Sequence, residues 1–87
     1  MRVGQARKRD RQEGVIVAAL RRVGCLVHPV SSPGFPDLVV YSPLVGVRLM
    51  EVKSPHGRLT PAQQAAVGWP VVVVRSIADA FMAVGIS

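Results

Sequence analysis

Acidic residues are scarce in this chain. Only five, Asp10, Glu13, Asp37, Glu51 and Asp79, stand against eleven Lys and Arg, for a formal net charge of +6. Each acid therefore needs a reason to be where it is. Aromatics make up 5% of the residues. That leaves no ladder of rings on which single-stranded bases could stack, and Tyr41 and Trp69 are expected to pack instead. A lone Cys25 excludes a disulfide framework and a multi-thiolate zinc site, and it reads as a core residue. The longest uninterrupted apolar run, Val15 to Leu20, is too short to cross a bilayer. The basic start is not followed by an apolar stretch and a cleavage site, so no signal peptide and no membrane association are expected. A cytosolic setting is the expectation. Neither an internal repeat nor a linker is visible.

What is abundant is aliphatic: 49% of the residues are hydrophobic, 17 of them valine, which excludes intrinsic disorder. Residues 1–87 read as a single domain, whose size implies burial of about 63% of the unfolded surface. That core is marginal, so self-association is an option. Nine of the eleven basic residues are arginine, and seven lie within the first 22 positions: Arg2, Arg7, Lys8, Arg9, Arg11, Arg21 and Arg22. A rigid guanidinium fork suits phosphate, which makes nucleic acid the leading partner class, although a solvated basic face would account for the same charges.

Residues 1–7 read as a flexible basic arm. From Asp10 to Val23 the spacing predicts a helix, with Ile16, Val17, Leu20 and Val23 as its apolar stripe and Gly24 as its stop. Glu13, three and four positions before Ile16 and Val17, points with that stripe toward the core. Cys25–Val30 predicts a first strand. Ser31 to Pro36 is a loop. Asp37–Tyr41 is a second strand, apolar enough to be buried on both faces. Val45–Lys53 is a third. Thr60, Pro61 and Gln63 form a capping signature opening a second helix, Pro61–Val67. Val71–Arg75 is a buried fourth strand, and Ile77–Val84 a last helix capped by Ser76. Tight links between the first three strands imply antiparallel pairing, and the strand-helix-strand step implies a parallel fourth.

In the third strand, alternation puts Glu51 and Lys53 on one face, with Val47 and Leu49, about 7 Å apart. Antiparallel pairing would bring Asp37, at the start of the second strand, to the same end of the sheet as Glu51. Glu13 approaches from the packed helix. Three carboxylates in a half-buried cleft repel. A hard divalent cation such as Mg²⁺ would resolve the repulsion and leave coordination positions for water and phosphate. Lys53 could orient that water or stabilise the charge that develops on the phosphate. Without these four residues, ten positive and two negative charges remain, a basic body around an acidic pocket.

Gly34-Phe35-Pro36-Asp37, then Glu51-Val52-Lys53, then Leu59-Thr60-Pro61-Ala62-Gln63, together with Glu13 and the Val74-Arg75-Ser76 strand end, resemble the PD-(D/E)XK nuclease superfamily. Within it, the chain is most similar to the VRR-NUC family, including its short stand-alone phage and bacterial members, over about Asp10 to Ile86. The resemblance implies an α/β fold with a restriction-endonuclease-like αβββαβα core, a small mixed β-sheet flanked by helices. It also implies Mg²⁺- or Mn²⁺-dependent cleavage of DNA, branched DNA such as four-way junctions above all, by a homodimer acting in recombination, repair or replication, with no organic cofactor. Asp37 and Glu51 would be metal ligands, the Val52 carbonyl a third and Glu13 the helix-borne carboxylate. Lys53 would be the catalytic lysine and Gln63 a polar residue at the edge of the site, although its place in the capping signature explains Gln63 by itself. Arg7, Lys8, Arg9, Arg11, Ser32 and Arg58 are the candidate DNA contacts. Turn chemistry accounts equally well for Ser32, and His28 and His56 read as ordinary strand and loop residues. The competing reading is a non-catalytic, basic nucleic-acid-binding protein that keeps the nuclease fold.

Overall fold

The computed structural model of the chain describes residues 11–54 and 70–86. Outside them lie the expected arm, the expected helix Pro61–Val67, and Arg7, Lys8, Arg9, His56, Arg58, Gln63 and Trp69. Helix α1 spans Arg11–Arg22, with Glu13, Ile16, Val17, Ala19 and Leu20 buried. That face follows the 3.6-residue period of the sequence. The helix stops one residue earlier than the apolar spacing suggests. Val23 falls in the turn and is exposed, and Gly24 takes the positive φ of +96° that ends the helix.

Strands β1 (Leu26–Pro29), β2 (Leu38–Ser42), β3 (Gly46–Val52) and β4 (Val71–Val74) form one sheet in that order. The first two junctions are antiparallel and β3–β4 is parallel, as the connection lengths require. Helix α2, Ile77–Ala83, follows β4. The turn between β2 and β3 is short because Gly46, with φ +87°, can reverse the chain without a Cβ clash.

One face of the sheet carries the core. Leu38, Val40, Met50, Val52 and Val74 pack against Ile16, Val17 and Leu20 of α1 and against Ala80 and Val84 at the end of the chain. Full burial of each large aliphatic contributes roughly 1.5–3 kcal/mol. The second strand is not buried on both faces: Leu38, Val40 and Ser42 are buried, Val39 is half-buried and Tyr41 is exposed. Tyr41 stands in register with Leu26 on one side and Val47 on the other, and all three are exposed. In β4 only Val74 is fully buried. β1 is an edge strand with only Val27 half-buried, and His28 is exposed.

Candidate active site

The β2–β3 register pairs Leu38 with Met50, and extending it by one residue sets Asp37 opposite Glu51. Residues directly opposite in an antiparallel pair project on the same face. Asp37 precedes β2, so it can turn its side chain into the ladder, where Oδ2 accepts the Val52 N–H at 2.9 Å. Its own carbonyl accepts the Val30 N–H at 2.8 Å, which ties down the loop that closes this end of the sheet. Asp37 is thus fixed at both backbone and side chain.

Glu51 is buried, with 3% of its side chain exposed, and Lys53 Nζ lies 3.7 Å from Glu51 Oε2. Alternation along β3 brings the pair together, as the sequence predicts. Burial pushes the Glu51 carboxyl up to about 7; the Asp37 charge adds to the rise, the Lys53 ammonium opposes it, and Glu51 and Asp37 share a side-chain hydrogen bond. Two carboxyls therefore sit in contact, and their mutual repulsion makes a proton on Glu51 harder to remove.

Glu13 is also buried, in the first turn of α1. Among the described residues, no three His, Cys, Asp or Glu side chains form a group able to hold a metal ion. α1 packs on the face of Met50 and Val52, whereas Glu51 projects from the other. The acidic centre is a pair, Asp37 with Glu51. Of the candidate DNA contacts, Arg11 and Ser32 are exposed.

Sequence reasoning missed two residues at this end of the sheet. Gln12 Nε2 donates to the Arg75 carbonyl, and the Arg75 guanidinium donates to the Ser54 carbonyl at 2.7 Å. The available signal was positional, since Arg75 directly follows the strand parallel to the one carrying Lys53.

A profile of the VRR-NUC domain matches residues 9–68, more than half of the chain. The chain belongs to the VRR-NUC family. A solved structure titled "VRR_NUC domain" is similar to this chain at 26% identity, with a TM-score of 0.61, covering 82% of this chain and 91% of that one. No curated protein matches it. The VRR-NUC fold is a nuclease-type fold, and the small mixed sheet with its flanking helices agrees with it. Among the described residues of this VRR-NUC chain, no helix is long and apolar enough to cross a membrane.

Proposed function

We propose that this chain is a metal-dependent deoxyribonuclease that hydrolyses phosphodiester bonds with a water molecule and forms no covalent enzyme intermediate. The observation that carries the reading is the contact pair Asp37–Glu51 with Lys53 beside it, at one end of a VRR-NUC sheet. The donor set fits a hard divalent cation: two carboxyl groups in contact, whose mutual repulsion and burial raise the Glu51 pKa, are a pair whose ionised forms a cation would stabilise. Asp37, Glu51 and the Val52 carbonyl are the proposed ligands of Mg²⁺ or Mn²⁺, with Glu13 as a further carboxylate. Bound there, the ion would supply an acidified water and neutralise charge on the phosphate.

The chain's own groups do the rest. Asp37 Oδ2, held by the Val52 N–H, cannot swing away from the cleft. Lys53, paired with Glu51 and half-buried, holds a cationic donor beside the reacting phosphate. The exposed arginines Arg11, Arg21 and Arg22 add to the basic body that attracts a polyanion. The preferred substrate in this reading is branched DNA such as a four-way junction, cut by a homodimer whose twofold axis matches the symmetry of the junction.

The test is cleavage of supercoiled plasmid and of a four-way junction with Mg²⁺, Mn²⁺ or chelator, alongside Lys53→Ala. Metal-dependent cutting that Lys53→Ala stops, with junction affinity retained, is the expected result. Binding without cutting under every metal condition would favour a non-catalytic nucleic-acid-binding protein. The observation on that side is that no third His, Cys, Asp or Glu side chain completes a metal-holding group among the described residues. A light-scattering mass tests the dimer.

A further inference from the structure

Arg75 stands where three elements meet. Its N–H donates to Asp79 Oδ2 at 2.9 Å, and Asp79 in turn donates its own N–H to Ser76 Oγ at 3.0 Å, so the start of α2 is locked to it. Its carbonyl accepts Gln12 Nε2, one residue before Glu13 on α1. Its guanidinium reaches the Ser54 carbonyl, one residue after Lys53, while the Lys53 N–H donates to the Val74 carbonyl at 3.0 Å. Two of the proposed site residues, Glu13 and Lys53, are thus each adjacent in sequence to a group that Arg75 binds, and they lie on different elements.

We infer that Arg75 is a positioning residue, a strap that fixes the backbone around Lys53 relative to the start of α1; the inference rests on the nuclease reading of the same site. The chain leaves β3 at Val52, so Lys53 and Ser54 are not held by a full ladder. A guanidinium suits the role because its planar fork can bind one carbonyl and keep further donors for other partners, which an ammonium on a flexible stem does less rigidly. Small displacements matter at such a site, since a shift of about 1 Å in a reacting group can lower turnover on the order of a hundredfold.

The experiment measures kcat and KM for junction cleavage in Mn²⁺ for the full chain, Arg75→Gln, Arg75→Lys, Gln12→Leu and the Gln12→Leu/Arg75→Gln double variant, with thermal midpoints and amide NMR spectra of each. The expected result is a fall in kcat of about ten- to a hundredfold for Arg75→Gln, with KM and junction affinity within about twofold. Arg75→Lys restores only part of the loss. The amides of Lys53, Ser54 and Glu13 shift, while those of Leu26 and Tyr41 stay in place. Gln12→Leu lowers kcat in the same direction and is not additive with Arg75→Gln, and it remains available if Arg75→Gln fails to fold. Unchanged kcat in a folded Arg75→Gln protein overturns the inference alone. A raised KM with unchanged kcat makes Arg75 a DNA contact and also overturns it. A wild-type chain that cuts nothing under any metal condition overturns the nuclease reading first, and this inference with it.

Discussion

At the end of the sheet where β2 closes and β3 opens, Ser42 is buried and neutral. Its Oγ donates to the Val84 carbonyl at 2.9 Å and accepts the Leu44 N–H at 3.1 Å, and it also bonds the Cys25 thiol, whose pKa burial pushes up. At the other end, where β2 opens and β3 closes, the buried Glu51 carboxyl meets the half-buried Asp37 carboxyl and Lys53 ammonium. The two ends have the same strands and comparable burial. One satisfies every polar atom named here with a neutral hydroxyl that both donates and accepts. The other sets two acidic groups against each other, so that ionising both at once is disfavoured by burial and mutual repulsion. Strongly perturbed acidic pairs of this kind are characteristic of functional sites rather than of packing.

The largest contrast between the ends concerns activity. Asp37→Asn and Glu51→Gln are expected to slow Mn²⁺-dependent plasmid cleavage by at least about a hundredfold, because each removes a charge that would hold the ion. Glu13→Gln is expected to cost less, about tenfold, since Glu13 does not complete a three-group cluster among the described residues. Equal losses for all three, in rate and in Mn²⁺ affinity, would put Glu13 in the ligand set on the same footing.

The same pair makes the second contrast, in pH. With its folded pKa raised to about 7 from an ordinary 4.5, Glu51 favours folding while it is protonated. Its contribution is fully present below pH 4.5 and is lost as pH rises through 7. The ion-free protein should therefore lose stability across that window, and Glu51→Gln should flatten the loss and leave the protein about 1–3 kcal/mol more stable at pH 8. Urea midpoints of the two proteins at pH 4.5 and pH 8 measure this. A wild-type curve as flat as that of the Gln variant would mean that Glu51 is not desolvated. Added Mn²⁺ should stabilise the wild type most above pH 7, because binding displaces the proton.

How much of this end was readable in the sequence follows from what fixes each residue. Lys53 follows β3 by one residue in the same extended run as Glu51, so a period of two places them together whatever the rest of the chain does. Asp37 and Glu51 required only the antiparallel junction, which the short Ser42–Val45 connection dictates. Glu13 was legible as buried, because the helical stripe sets that. Its relation to Glu51 was not, because it depends on which face of the sheet α1 covers, and no local pattern states that. The contacts of Arg75 and Gln12 were illegible for a related reason, although Arg75's place after the fourth strand was not. Both act through backbone carbonyls, and a carbonyl leaves no trace in residue identity.

A third contrast tests the neutral end. Ser42→Ala leaves the buried Val84 carbonyl and the Leu44 N–H without the partner they share. The expected cost is about 1–3 kcal/mol in chemical denaturation, with cleavage per folded molecule unchanged. A loss of activity larger than the loss of folded protein would mean that the two ends are coupled through β2.

The smallest effect is expected between the two faces of the sheet rather than its ends. Leu26, Tyr41 and Val47 form a cross-strand row that stays open, whereas Val40, one residue from Tyr41, is fully buried. Val47→Thr keeps the β-branched shape and adds a hydroxyl that water can satisfy, so the monomer should change by no more than about 0.5 kcal/mol. Val40→Thr puts the same hydroxyl among Ile16, Leu38 and Met50 and should cost several times more. Denaturation midpoints at two protein concentrations separate the possibilities for the open row. Equal midpoints would make it plain surface. A Val47→Thr loss that shrinks on dilution, with a fall in light-scattering mass relative to the wild type, would mean that a second copy of the chain covers Val47, and the open face would then be the twofold contact of the proposed dimer.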